Sequence, residues 1–256
     1  DSLLRDISEW CPQLETLKFE TTQFAFSTIR KLDNWSFPQL RSLHLGYGLL
    51  LQALVSATPN LEHLTLNLTL DGGVQFSQGG WTKLKSLHVT GECANDRFLV
   101  SLISQNHHLA RVHVHSEDTY EAAEADVTND TLHHIAQHCR DLTELHLQCN
   151  GTNHLGVCDV VQRCTKLTKL SLQYTGQIHN ATLFAVAEHC HQLTHLDIHL
   201  CTINPSSLVR IATGCESLRE IRFTTRNVFK MHKQHQIDYK TMLSMFRDRN
   251  VNVLAI

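Results

Sequence analysis

The sequence contains no run of about 18 consecutive apolar residues, the length a membrane-spanning helix needs. Its most apolar stretch, Leu49 to Val55, is interrupted by Gln52. No direct membrane insertion is therefore expected. Neither sign of charge is in large excess: 22 Lys and Arg stand against 25 Asp and Glu, for a net charge of −3. A chain so balanced has no global attraction for a phosphate backbone, and nucleic acid is not an expected partner. H-E-x-x-H, C-x-x-C and glycine-rich phosphate motifs are also missing. The reading is a non-enzymatic protein without cofactor or metal.

What the sequence does have is nine cysteines among 256 residues, an odd number, so at least one lacks an intramolecular partner. Their positions say more than their number. "CPQLETLKFE" from Cys11, "CRDLTELHLQ" from Cys139, "CTKLTKLSLQ" from Cys164, "CHQLTHLDIH" from Cys190 and "CESLREIRFT" from Cys215 share the pattern C-x-x-L-x-x-L/I-x-L/I/F. Four more segments keep the apolar spacing without the cysteine, beginning at Leu40, Leu61, Leu84 and Leu109. Most steps between copies are in the low-to-mid twenties, the length of one strand plus one helix. Leu109 to Leu142 is the long step.

Between the copies lie stretches with helical apolar spacing, such as Leu132, Ile135, Ala136, or Leu183, Val186, Ala187, or Leu208, Ile211, Ala212. Asn129 or Asp130, Asn180 and Asn204 read as their N-terminal signals. In each L-x-x-L-x-L the second and third apolar residues alternate with polar ones, so a short strand turns its leucines inward. One strand–helix unit cannot close a core by itself, and the units must stack. The expected architecture is α/β: a curved right-handed horseshoe, parallel β-sheet on the concave side and helices on the convex side. A cysteine recurring just past each helix reads as a small apolar side chain filling one interior niche per turn. A catalytic thiol has no reason to recur five times. Reduced thiols point to an intracellular, cytoplasmic or nuclear, protein. The N-x-S/T matches at Asn34, Asn67, Asn129, Asn150 and Asn180 point instead to secretion but are short.

The run from Asn129 to Phe223 resembles the cysteine-containing subclass of leucine-rich repeats, a helix ending near a cysteine followed by L-x-x-L-x-L-x-x-C/N. "LTHLDIHLC", Leu193 to Cys201, carries the second cysteine, and in "LTELHLQCN" Asn150 takes that place with Cys149 one residue early. The resemblance covers nearly the whole chain and is similar to F-box/leucine-rich-repeat proteins. It implies a leucine-rich-repeat solenoid that is the substrate-recognition domain of an SCF-type ubiquitin ligase, with a Skp-type adaptor held by a segment ahead of Asp1. The alternative is a non-catalytic scaffold subunit of a large multiprotein assembly. The expected organisation is one domain over 1–256, about nine repeats over 1–227 and a C-terminal cap over 228–256, where "DYKTMLSMFRDR" has helical spacing and "VNVLAI" reads as a last strand.

Solenoids bind partners on the concave sheet, so the outward positions are the candidate site for a protein partner. Three rows run across the repeats. They contain His44, His88, His113, His146, Asp197 and Arg222; then His63, Arg111, Glu144, Lys169 and His195; then His115 and His199. Eight of the nineteen histidines fall in these rows. His88, His113 and His146 should sit on neighbouring strands about 4.8 Å apart. Such a ladder is read as a solvated polar surface, with a metal site or a surface charged below pH ~6.5 as the alternatives. Ser171 between His146 and Asp197 superficially matches a hydrolase triad, but an open sheet supplies no oxyanion hole. "SEDTYEAAEADV", Ser116 to Val127, reads as an acidic surface loop. The arginines and lysines from Arg219 to Lys240 make a basic C-terminal end.

Overall fold

A computed structural model describes residues 2–19, 36–46, 51–67, 80–91, 94–116, 127–173, 178–199, 204–224 and 239–255. Within them, ten strands form one parallel sheet in chain order: β1 (Thr16–Phe19), β2 (Ser42–Leu45), β3 (His63–Asn67), β4 (Ser86–Thr90), β5 (Arg111–His115), β6 (Glu144–Gln148), β7 (Lys169–Gln173), β8 (His195–His199), β9 (Glu220–Phe223) and β10 (Asn252–Ala255). The helices are α1 (Ser2–Trp10), α2 (Leu51–Ala57), α3 (Asp96–Ile103), α4 (Asn129–His138), α5 (His154–Arg163), α6 (Asn180–His189), α7 (Pro205–Gly214) and α8 (Tyr239–Asp248). This is the α/β leucine-rich-repeat solenoid that the periodicity predicts. β10 extends the ladder beyond the ninth copy by pairing in parallel with β9. The acidic segment over 117–126, the second cysteine Cys201, and Arg226, Lys230 and Lys233 lie outside the described residues. β5 and β6 nevertheless pair directly, so the long sixth step leaves the sheet unbroken.

Every strand copy enters in register. Leu43, Leu64, Leu87, Val112, Leu145, Leu170, Leu196 and Ile221 align as one row, and all are buried. Parallel pairing of adjacent units keeps like residues side by side, and the core becomes a stack of leucine rows against the helices.

The spacing C-x-x-L has a backbone cause. Cys139, Cys164, Cys190 and Cys215 each end a helix, their own N–H donating back to the carbonyl four residues earlier. Each cysteine carbonyl then accepts from the leucine N–H three residues on, at 3.1–3.2 Å. The tight turn fixes where the next strand begins. All four thiols are buried, and burial pushes each up to about 12, keeping it protonated.

Three corrections follow. Cys11 is exposed, because no earlier described repeat covers it, so it fills no interior niche. The niche is also not simply apolar: Cys164 Sγ donates to Cys139 O at 3.3 Å, and Cys190 and Cys215 Sγ lie 3.8 and 3.9 Å from Val161 O and Val186 O. The same place in the cysteine-less repeats is taken by Phe37, Thr58, Trp81 and Asn106, all buried. Trp81 Nε1 donates to Thr58 Oγ1 at 2.8 Å, and Thr58 Oγ1 donates to Leu54 O at 2.7 Å. Across the sheet edge, Cys149 is the buried residue and Asn150 is exposed, so the interior position after β6 belongs to the cysteine.

The helix starts also differ from the sequence reading. The N-caps of α4 and α6 are Thr128 and His179, with Asn129 and Asn180 as first helical residues. Those asparagines reach sideways instead. Asn129 Oδ1 accepts from Asn153 N at 3.0 Å and Asn180 Oδ1 from Asn204 N at 2.8 Å, each satisfying an N–H of the following unit.

Candidate functional site: the open sheet face

The helices cover one face of the sheet; the alternate residues of every strand face the other way and are half-buried or exposed. The predicted rows are the observed ones. His44, Thr65, His88, His113, His146, Ser171, Asp197 and Arg222 are successive Cα partners across eight strands. His63, Ser86, Arg111, Glu144, Lys169, His195 and Glu220 form the row beside it. His115 and His199 occupy the third row with Gln148 and Gln173.

Over β5–β9 this face sinks into an open groove of about 360 Å³. Seven predicted site residues line it: His113, Glu144, His146, Lys169, His195, Asp197 and Arg222. Leu145, Leu170 and Leu196 border it from the buried leucine row, their side chains belonging to the core. His44, His63, His88, Arg111, His115 and His199 share the face but not the groove. Ser171 and Glu220, which the sequence reading did not place in the site, do line it. Membership of the Glu144–Lys169–His195 row was the signal for Glu220.

The groove's charges are arranged in pairs between and within strands. Lys169 Nζ lies 2.9 Å from Glu144 Oε1, and Arg222 Nε 2.8 Å from Glu220 Oε1. His199 Nε2 stands 2.8 Å from Asp197 Oδ1, while Gln173 Nε2 donates to Asp197 Oδ2 at 3.2 Å. Ser171 Oγ also donates toward Asp197 Oδ2, at 3.5 Å. The serine hydroxyl is thus turned to the Asp197 carboxylate. Farther along, Arg111 reaches back over β4 to His63 Nδ1 at 3.5 Å.

The histidine ladder is real: ring centroids of His88 and His113 are 5.3 Å apart, and those of His113 and His146 are 5.6 Å apart. Burial lowers the pKa of all three; repulsion from other rings adds to this, from His44 and His115 for His88, and for His146 Asp197 acts in the opposite direction ahead of His88 and His115. For His113 the pKa falls to about 4, burial leading, then His88 and His146, with Glu144 acting weakly in the opposite direction. At neutral pH the ladder is therefore uncharged. Among the described residues, no three His, Cys, Asp or Glu side chains converge as a ready-made metal site.

The ladder has a stability consequence with a definite sign. An unfolded imidazole takes a proton near pH 6.5, whereas folded His113 does so only near 4. Between those values the unfolded chain binds more protons, so stability present above pH 6.5 is lost as the pH falls through about 4. The urea midpoint should drop between pH 7 and pH 4.5, and drop less in His113→Gln. Equal pH dependence in the two proteins would show that the ladder does not carry the effect.

Among the described residues no helix is long and apolar enough to cross a membrane. No family model and no curated protein matches this chain. Among solved structures it is similar to an internalin from Listeria monocytogenes, at 16% identity over 86% of this chain and 68% of that one, with a TM-score of 0.46.

Proposed function

We propose that the chain is a single non-catalytic recognition domain that holds a protein partner against the open, concave face of its sheet. The observation that carries this reading is the groove over β5–β9, which brings imidazoles together with side chains of both charges on the open face. Placed polar groups and paired charges give a protein contact its specificity and register more than its strength. The candidate contact set is His44, His63, His88, Arg111, His113, His115, Glu144, His146, Lys169, His195, Asp197, His199 and Arg222, now joined by Ser171 and Glu220.

At a finer level, the cysteine-type repeat favours the substrate-recognition domain of an SCF-type ubiquitin ligase, joined to a Skp-type adaptor through sequence outside this chain. The second reading is a scaffold subunit of a fixed assembly, which the same groove also fits. Purification of the full-length protein from its native cell, with its stoichiometric partners identified, separates them. Recovery of a Skp-type adaptor with a cullin establishes the ligase receptor; one constant complex without either overturns that reading in favour of the scaffold.

The groove itself is tested with whichever partner is recovered. Glu144→Lys places a second cation beside Lys169, and partner affinity should fall at least tenfold, since an opposed charge within an interface costs several kcal/mol. The partly exposed Glu144–Lys169 pair contributes only about 0–1 kcal/mol to folding, so the variant should melt within a few degrees of the parent. Unchanged affinity would move the binding surface away from this face.

A further inference from the structure

Between α3 and α7, three of the four helix joints carry the same polar bond. The first residue of one helix turns a side-chain oxygen to the start of the next. Asp96 Oδ1, on α3, accepts from Thr128 N at 2.9 Å and from Thr131 Oγ1 at 2.6 Å. Asn129 Oδ1, on α4, accepts from Asn153 N at 3.0 Å. Asn180 Oδ1, on α6, accepts from Asn204 N and Ser207 Oγ, both at 2.8 Å. The donors are the N-cap N–H of the next helix and the hydroxyl of its third residue. On α5 that third residue is Gly156, where a Cβ would come 2.4 Å from Asn129 Oδ1.

At the α5–α6 joint the acceptor position holds His154, and the donor positions hold His179 and Thr182. His154 Nδ1 and Thr182 Oγ1 are buried, and among the described residues neither finds a hydrogen-bond partner. The Cys158 thiol, whose pKa burial raises, feels an opposing pull from the Thr182 hydroxyl, but a thiol sulfur is only a weak acceptor. The His154 ring packs instead against that of His179, with centroids 4.9 Å apart. His179 also makes no side-chain cap bond to α6, whereas Asn95, Thr128, Asn153 and Asn204 cap the starts of α3, α4, α5 and α7.

Histidine Nδ1 and asparagine Oδ1 are bonded to the same carbon, Cγ, so they start from equivalent places. The amide oxygen has two lone pairs, whereas Nδ1 has one in the ring plane, and none once protonated. One imidazole therefore cannot serve both the N–H and the hydroxyl that Asn180 Oδ1 serves one joint later. Opening the joint lets water reach the stranded groups, so it opens at a lower cost than its neighbours.

We infer that the α5–α6 joint is a hinge, the place where the helical side of the solenoid parts while the strand ladder stays closed. β7 and β8 remain paired from Lys169↔His195 to Gln173↔His199. α5 leads into β7 and α6 into β8, and those strands bring Lys169, Ser171, His195 and Asp197 to the groove. With helices on the outside of a curve, parting two of them over paired strands tightens the curve and draws the groove walls together. That consequence rests on the binding reading of the open face; the hinge itself does not.

The test is native-state amide hydrogen exchange on the full chain without a partner, so its failure leaves the groove reading untouched. In the parent, the α6 amides Phe184 to Val186 should exchange on the order of fivefold faster than the matched α7 amides Val209 to Ile211. His154→Asn supplies the missing acceptor. It should slow the α6 amides by about fivefold and raise the melting temperature by about 2–4 °C. Asn180→His sets the same mismatch against Ser207 and should quicken Val209 to Ile211 by about fivefold. Equal exchange in α6 and α7 of the parent, no slowing in His154→Asn, or no quickening in Asn180→His would each overturn the hinge.

Discussion

Asn106→Ala should lower the unfolding free energy by about 2–5 kcal/mol, because buried backbone groups lose their hydrogen-bond partner. Asn106 is fully enclosed at the niche that holds cysteine in later repeats. There it does what a thiol cannot. Its Nδ2 donates to Trp81 O at 2.6 Å and to Leu102 O at 2.7 Å, and its Oδ1 accepts from Leu84 N at 2.7 Å. In most repeats the turn before the strand closes on itself, as when Leu142 N donates to Cys139 O. In the Trp81–Leu84 turn the asparagine of the next repeat supplies both bonding partners instead. Truncation strands Leu84 N and Trp81 O, each costing about 1–3 kcal/mol if nothing replaces its partner, while Leu102 O keeps the Gln105 N–H at 3.3 Å. For a chain of this length the melting temperature should fall by roughly 10 °C. Asn106→Cys is the informative control: it restores the residue type of the regular niche and one weak donor, yet leaves Leu84 N unpaired. A melting temperature near that of the parent in both variants would mean that the turn recloses without the asparagine.

The same position shows what was legible in the sequence and what was not. The strands were, because a period-two alternation repeated nine times fixes both their faces and their mutual register; His44, His88, His113 and Asp197 fall in one row as read. The niche was legible only where it held cysteine. Its requirement is set by backbone groups and by volume, which cysteine, threonine, tryptophan and asparagine meet by different routes, so no residue type marks Thr58, Trp81 or Asn106 as equivalents. Asn129 and Asn180 misled for a related reason. An asparagine near a helix start reads as a cap, but here each bonds the neighbouring unit, a contact that exists only after stacking. The candidate face followed from the strand pattern, whereas the groove over β5–β9 did not. Its depth depends on how Glu144 leans on Lys169 and Arg222 on Glu220, and those are rotamer choices rather than spacings. Arg249, whose guanidinium donates to Ala212 O and to Cys215 O after the last cysteine turn, was likewise invisible as a sealing residue.

Gly214→Ala should destabilise the protein by about 2–3 kcal/mol, although alanine is the better helix former by about 1 kcal/mol. Gly214 is the last residue of α7, and its backbone conformation is not the left-handed one that requires glycine. The constraint is space: a Cβ there would lie 2.3 Å from Ala187 O and 2.9 Å from Ala187 Cβ on α6. A backbone oxygen in the last turn of a helix cannot swing aside as a side chain can. The equivalent residues before the cap cysteine in the three preceding helices are His138, Arg163 and His189, so the close approach is particular to the α6–α7 pair. Strand spacing on the other side is held by the hydrogen-bond ladder, so the methyl must be absorbed by α7 moving away from α6. That motion changes the angle between two repeats, which is the quantity that shapes a solenoid's binding surface. β8 and β9 follow those helices in sequence and carry His195, Asp197, Glu220 and Arg222, so weaker partner binding should accompany the lower urea midpoint even though Gly214 lies on the helical side. Helix propensity alone predicts the opposite sign for stability. A Gly214→Ala protein that is more stable than the parent would therefore show that the α6–α7 approach is looser than the Ala187 contact requires.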